Sequence, residues 1–440
     1  MVAADRESGS RWQILDRAAG GLPLDLALYA GSTVFAAVTA LVSTLPPHRG
    51  WGTVAAVGYL VAALVVIGQL LVRRRHPDSP VTGTAARWAV TAGTFTVVAL
   101  VPVGLQSAQR AAGRTDRAQE EVLVIEESGR RLVEDGTPYL ARDAIAALPA
   151  DERLLGYTPY QPGMALFGLP RAAHDAWWTD ARVWFAVATL LLLALAVRTL
   201  RRIDPPHGIT PHRNRLLLRA VQMATVLPVC ALTLATGGDD LPVLALCLLA
   251  LALAATDRPG LAGVAVGVAG ALKLLALPIA LVLIFWGATR RVGLRVAVGA
   301  LGLPVLALLP VLLVDRAALT ENVLRFPLGQ GLVTSPAQSP FPGFLIADAL
   351  PAGRAVAATL LVAAGLAIAV RLVCRPPRTA AASALFCGYG LLAAIALMPS
   401  TRFGYLLYPL ALLAWAAAVS TTPVSRDVGA DRRESVDLRT

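Results

Sequence analysis

The feature that most constrains this chain is its succession of apolar blocks. From about Leu24 to Ser420, stretches of some 20 apolar residues follow one another, each long enough to cross a hydrocarbon layer about 30 Å thick as a helix. Hydrophobic residues make up 56% of the chain and charged residues only 15%, with a mean hydropathy of +0.64. A soluble domain carries about 25% charge. The pattern predicts an all-α, polytopic integral membrane protein. Spans are expected near 24–46, 53–72, 87–108, 182–200, 217–236, 241–256, 296–314, 355–374, 379–398 and 403–420. The apolar stretch from Leu261 to Ala288 is long for one helix and is interrupted by Gly270 and Pro278. A pair of short helices turning between them is expected, which brings the total to about 12 membrane segments.

Of the 39 Lys and Arg residues one is lysine, Lys273, and it lies between those two interruptions. A charged side chain at bilayer depth costs about 2.5–3.5 kcal/mol on insertion scales, so it usually faces a partner or a wet cavity. A chain whose default cation is arginine has kept a compact ammonium here. The alternative is a snorkelling lysine with no further role.

The net charge of +11 reads as a topology signal, because most arginines sit in short loops beside apolar spans. Nucleic acid is therefore not an expected partner, whereas membrane lipids are. With the N-terminus cytoplasmic, Arg6, Arg11 and Arg17, then Arg73–Arg75, Arg201–Arg202, Arg375 with Arg378, and Arg432–Arg433 all fall on one side. The expected organisation is a cytoplasmic segment 1–23, a transmembrane domain 24–420 with long outer loops at 109–181 and 315–354, and a disordered cytoplasmic tail 421–440. The first apolar segment lacks an evident cleavage site and reads as a retained span of a plasma-membrane protein. Cys230, Cys247, Cys374 and Cys387 lie in or at the ends of spans, without C-x-x-C spacing, and read as packing residues. His48, His76, His174, His207 and His212 are scattered through loops without metal-ligand spacing.

Chemistry is expected in the first outer loop, which holds 12 of the 28 acidic residues. Val122, Ile125, Gly129, Leu132 and Val133 recur at helical spacing and predict a surface helix within Arg117–Asp135. Glu121 and Glu126 flank that apolar stripe, where partial burial would make either a better base. Glu120, Glu127 and Glu134 lie on the far face, and Glu126–Arg130 and Glu127–Arg131 have the spacing of ordinary helix-surface pairs. Tyr139 and Tyr160 end the two T-P-Y tripeptides, the second inside Tyr157-Thr158-Pro159-Tyr160-Gln161-Pro162. Sugar faces stack on such rings, although Pro-Tyr turns also serve as plain loop packing. Trp177 and Trp178 mark an interface where the next span begins.

The series E-V-x-V-I-E, L-V-x-D-G-T-P-Y and Y-T-P-Y-Q-P-G-M-A-L-F-G-L-P resembles the first extracytoplasmic loop of polyprenol-phosphate-sugar-dependent glycosyltransferases. Within that GT-C superfamily the likeness is to glycosyltransferase family 87, the actinobacterial mannosyltransferase-like proteins. The Lys273-to-Pro278 segment and the late Pro399-Ser400-to-Tyr405 segment match in order. That family usually has aspartate as its catalytic acid, where this chain offers glutamates, and a double proline where this chain has Gln161-Pro162. The resemblance implies a GT-C-like bundle that moves a sugar, most readily mannose, from a polyprenyl-phosphate donor to a lipid or glycan acceptor on the extracytoplasmic face.

Such a transfer needs one carboxylate to take the acceptor proton and cations to meet the charge growing on the leaving phosphate, with inversion at the anomeric carbon. Glu121 and Glu126 are the candidate bases. Tyr139, Tyr157, Tyr160, Gln161, Asp240, Lys273, Arg325, Arg402 and Tyr405 are the candidate substrate ligands. Arg402 has a guanidinium suited to bidentate phosphate binding. Its plainer reading is an interfacial anchor. Arg325 adjoins a Gly/Pro/Ser-rich run, Gly329–Gly343, that could close as a lid. Asp239-Asp240 could orient the acceptor or hold a divalent cation, or simply form a solvated, helix-capping turn. No cofactor is required. A transporter or lipid flippase is the alternative, but it would favour repeated halves and broken helices in matching positions; a non-catalytic scaffold is a third.

Overall fold

The computed structural model describes residues 18–202 and 210–420. Arg6, Arg11, Arg17, His207 and the tail 421–440 lie outside them. Among the described residues the chain is helical, and its one β-bridge pairs Gln338 with Thr401. The main helices are α1 (Leu22–Val42), α2 (Pro46–Arg75), α3 (Thr84–Ala111), α4 (Glu120–Glu134), α5 (Ala181–Arg201), α6 (Pro211–Thr225), α7 (Pro228–Thr236), α8 (Asp240–Ala255), α9 (Pro259–Leu272), α10 (Leu277–Thr289), α11 (Gly293–Val314), α12 (Gly353–Cys374), α13 (Ala380–Leu397) and α14 (Leu407–Ala418).

Seven of these are long and apolar enough to cross a membrane, and the bent pair α6–α7 makes an eighth if it counts as one span. The expected total of about 12 membrane segments is larger: α9 and the stretch Leu274–Thr289 form the pair of short helices expected there, whereas α8 and Phe403–Ala418, expected as full spans, are also shorter apolar helices. Helix α8 shows why hydropathy misleads: every residue from Asp240 to Ala254 is buried by protein, so this is the core of the bundle. At 1.5 Å per residue its 16 residues reach only about 24 Å.

Prolines break the long helices, and polar side chains from neighbours repair the breaks. Pro102 has no N–H for the carbonyl of Val98, and a stretch of wider helix, Thr96–Leu100, absorbs the mismatch. The freed Val98 carbonyl accepts from Trp51 Nε1 at 2.8 Å. Pro228 likewise sits where the α6–α7 pair bends by 44°, and the Tyr59 hydroxyl donates to the Val226 carbonyl at 2.7 Å. Both repairing residues come from α2. Glycine lets two of the helices touch backbone to backbone: a Cβ on Gly267 of α9 would collide with the Gly299 carbonyl of α11.

The loop between α3 and α5 packs on the bundle. A Cβ on Gly129 of α4 would lie 2.4 Å from the Gly168 carbonyl carbon, so the pair of glycines lets α4 seat directly on the 162–168 turn. Val122 and Ile125 are fully buried beneath it, while Val133 of the expected stripe stays exposed.

Candidate functional site

Lys273 is where α9 ends. Its backbone is extended (φ −145°, ψ 139°), and a short turn leads on to α10. The helix break leaves the side chain free to cross to the α7–α8 turn. There Nζ lies 2.6 Å from Asp239 Oδ2 and 2.5 Å from Asp240 Oδ1. Gly238 makes this turn possible with φ +91°, and a Cβ there would strike Phe185 at 2.7 Å. The Tyr408 hydroxyl donates to Asp240 Oδ1 at 2.8 Å. The ring of Tyr160 comes within 5.2 Å of the ammonium and that of Tyr405 within 5.8 Å.

Asp239 and Asp240 are 3% and 5% exposed, which overturns their reading as a solvated turn. The ammonium occupies the place between the two carboxylates where a divalent cation would have to sit, so this donor set does not suit a metal. No group of three or more potential metal ligands occurs among the described residues.

A second charged contact lies at the same end of the bundle. Arg402 Nη1 pairs with Glu121 Oε1, joining the first turn of α4 to the residue that precedes the Phe403–Leu406 turn. Gln119 fixes the start of α4: its N–H bonds the Thr236 carbonyl at 3.1 Å, and its side-chain oxygen accepts from Thr236 Oγ1 at 2.8 Å. A Cβ on Gly237 would lie 3.9 Å from Glu121 Oε2, so the Glu121 carboxylate reaches the same turn that carries Asp239 and Asp240. The half-buried His48 imidazole lies against the Gln119 amide and within electrostatic reach of Arg402. The structure thus brings Glu121, Tyr160, Asp240, Lys273, Arg402 and Tyr405 to one corner.

Other candidates lie elsewhere. Glu126 is buried and held bidentately by Arg110 at 2.8 and 2.5 Å, and it also accepts from the Ala181 N–H at 3.1 Å. It therefore anchors the positive end of α5. Arg130, at the spacing expected to pair with Glu126, instead bonds Glu127 and Glu134. Asp180 completes this anchor. Burial pushes its carboxyl up, but Arg182 and Arg110 outweigh that and hold it down to about 2.

Tyr139 is buried and donates to the Tyr160 carbonyl at 2.7 Å. Tyr157 is stacked on Phe326 at 4.2 Å, donates to Glu321 Oε1 at 2.9 Å and accepts from the Leu332 N–H at 2.7 Å. Neither ring presents a face to a substrate. Gln161 is buried beside the break, its N–H on the Leu272 carbonyl at 3.1 Å. Arg325 is half exposed and belongs with Glu321, 3.6 Å away, in the clasp that Arg142 and Tyr157 also make.

The Gly/Pro/Ser-rich run expected as a lid is tied to the Arg402 segment. Thr401 N–H donates to the Ala337 carbonyl at 2.9 Å, Ser339 N–H to the Thr401 carbonyl at 2.9 Å, and Phe403 N–H to Ser339 Oγ at 2.9 Å. A separate cleft of about 490 Å³ opens on the opposite face of α4, lined in part by Arg110, Glu127, Arg130, Arg131 and Arg171. Its arginines are already matched by carboxylates, and it lies roughly half a helical turn from Glu121.

Sequence reasoning did not single out His48, Gln119 or Tyr408. The chain around His48 carries only a proline pair and a glycine as local signal. Tyr408 reads as one more aromatic of the last apolar run.

In comparisons with curated proteins and with solved structures, nothing matches. The sequence profile described as glycosyltransferase family 87 matches residues 157–400, more than half of the chain. The match takes in the Tyr157–Gln161 segment, the Asp239-Asp240 turn, the Lys273 break and the Pro399-Ser400 pair, and the chain belongs to glycosyltransferase family 87.

Proposed function

We propose that this membrane glycosyltransferase is an inverting enzyme acting on the extracytoplasmic face, which moves a sugar, mannose by preference, from a polyprenyl-phosphate donor to a lipid or glycan hydroxyl. The observation that carries the reading is the meeting of Glu121 and Arg402, a carboxylate and a cation 281 positions apart in the chain, beside the buried Lys273–Asp239–Asp240 cluster. The distribution of arginines supports the extracytoplasmic placement.

In this reading Glu121 is the base. The acceptor oxygen attacks the anomeric carbon, and its proton passes to the Glu121 carboxylate. The electron pair of the anomeric C–O bond leaves with the phosphate, whose charge grows by one. Arg402 has five N–H donors and, among the described residues, a single carboxylate partner, so it can take phosphate oxygens as Glu121 turns to the acceptor. Glu126 is the weaker candidate, since both its oxygens are committed to the α5 anchor.

Lys273 takes a different part from the phosphate ligand that its sequence position suggests. Two carboxylates already engage its charge and exceed it by one. It holds Asp240 in place, with Tyr408, as an acceptor for sugar hydroxyls beside the Tyr160 and Tyr405 rings.

The test is transfer from radiolabelled polyprenyl-phosphate mannose to a membrane-extract acceptor by purified protein. Glu121→Gln is expected to lower kcat by about 10²–10⁴-fold, the range for loss of a general base. Glu126→Gln is expected to lower the amount of folded protein far more than the kcat of what folds. Equal kcat for Glu121→Gln and wild type would refute the base assignment, and no labelled product from any polyprenyl-linked sugar would refute the donor class.

A further inference from the structure

We infer that Ser339, in the Gly/Pro/Ser-rich run, is a positioning residue for Arg402: its N–H and its hydroxyl hold the peptide groups on either side of that arginine and so set where the guanidinium meets the donor phosphate. The inference rests on the reading of Arg402 as a phosphate ligand given above, and it adds the residue that places it.

The sequence shapes this run for the task. Ala337, Gln338 and Ser339 lie between Pro336 and Pro340. A residue before proline is pushed to extended backbone, so Ser339 suits a bridge rather than a helix. Gln338 accordingly forms its parallel bridge with Thr401. Ser339 N–H donates to the Thr401 carbonyl at 2.9 Å, and Ser339 Oγ accepts from the Phe403 N–H at 2.9 Å. Those two groups belong to the peptide units before and after the Arg402 Cα. Because each unit is planar, holding both fixes the φ and ψ between them, −126° and 145°. The same strip is secured by the Thr401 N–H and Ser400 Oγ, which donate to the Ala337 carbonyl at 2.9 and 3.0 Å, and by the Phe341 and Phe403 rings, 5.0 Å apart.

The bond from Phe403 also resolves a local conflict. Arg402 stands at the cap position of the Phe403–Leu406 turn, where Ser, Thr, Asp or Asn would offer an acceptor to the turn's free N–H groups. An arginine side chain only donates, and Ser339 brings the acceptor from another part of the chain. A broken local rule with its repair supplied from elsewhere is what a functional position leads one to expect.

The clamp matters most when Arg402 works. Its long side chain turns about several bonds, so the guanidinium is located by the root on the backbone and by the partner at the tip. At rest the tip is tied to Glu121. Once Glu121 turns to the acceptor, the root alone keeps the guanidinium beside the phosphate. Ser339 fixes that root without touching substrate.

The probe is undecaprenyl phosphate, the leaving group of the proposed transfer, titrated at neutral pH into the full-length protein in detergent micelles. Ser339→Ala is expected to weaken binding about ten-fold, the order of one hydrogen bond. Ser339→Thr keeps both the N–H and the hydroxyl and is expected to bind as wild type does. Ser335→Ala removes a bond internal to the same run, from the Ala337 N–H at 3.3 Å, and is expected to leave affinity unchanged. Arg402→Gln should weaken binding, and adding Ser339→Ala to it should cost nothing more, because nothing is left to place. Equal affinity for Ser339→Ala and wild type overturns the inference while Arg402 stands as the phosphate ligand. So does a further loss of the same size on the Arg402→Gln background, or an equal loss in Ser335→Ala. An Arg402→Gln protein that binds as tightly as wild type overturns both readings.

Discussion

At the scale of single residues, the buried cluster of Lys273 with Asp239 and Asp240 carries the largest electrostatic stake. Two carboxylates and one ammonium leave a net negative charge inside the bundle, offset in part because Asp239 Oδ2 and Asp240 Oδ1 both meet the ammonium and the Tyr408 hydroxyl donates to the latter. Removing the cation alone strands two charges. Lys273→Met should therefore destabilise the protein by about 3–5 kcal/mol, the usual cost of breaking a buried pair from one side. Thermal melting in detergent reads this, and the double change Lys273→Met with Asp240→Asn should recover part of the loss. A single variant as stable as wild type would show that the cluster is hydrated enough to do without its cation. The helix break at Lys273 was legible from Gly270 and Pro278. The lysine's partners were not, because Asp239-Asp240 looks like any acidic turn until α7, α8 and α9 are packed.

At the scale of elements, helix ends and prolines were easy to read and their repairs were not. The surface helix was expected from the spacing of Val122, Ile125 and Gly129, and it forms over Glu120–Glu134. What seats it is the Gly129–Gly168 contact, a pairing that no periodicity reveals. Gly129→Val should lift the first turn of α4, part Glu121 from Arg402 and abolish transfer, with most of the protein still folded by circular dichroism. Full activity in that variant would show that Glu121 is placed by some other contact. Trp51→Phe tests a repair: it leaves the Val98 carbonyl without its donor and should cost about 1–3 kcal/mol, read as a lower melting temperature. The same logic explains the fate of the two T-P-Y tripeptides. Their rings, Tyr139 and Tyr160, looked available for sugar, but Tyr139 is consumed in packing, as is the neighbouring Tyr157, whereas Tyr160 reaches the cation.

At the scale of the whole molecule, the loops on the site side are joined by carboxylates that acid would disarm. Asp180 has a folded-state value of about 2 against an ordinary value of 3.8. Burial raises the Glu321 carboxyl, but Arg142, Tyr157 and Arg325 together hold it below its ordinary value. Both groups have depressed folded-state values, so their stabilisation is present above the ordinary carboxylate range and is lost as pH falls through the folded values. The melting temperature should drop as pH is lowered from about 4 towards 2, and Asp180→Asn should flatten that part of the curve at the expense of stability at pH 7. A second check is limited proteolysis: Glu321→Gln should loosen the Arg142–Tyr157 clasp and speed cleavage within residues 329–343 without altering cleavage elsewhere.

The sequence by itself determined the solvent of this protein and the hydrogen-bonding strategy that follows. Long apolar blocks can lie in lipid only as helices, and the arginine spacing biases which loops face which side. It also ordered the motifs well enough to place the chain in its family. Tertiary structure decided which apolar runs are long enough to cross and which fill the interior, because hydropathy registers an absence of polarity and cannot tell lipid from protein. It gave Glu121 and Glu126 different partners as well. Both flank the same stripe of one helix, and only the packing of α5 against one side and of the Arg402 segment against the other commits the second to an anchor and brings the first to a cation.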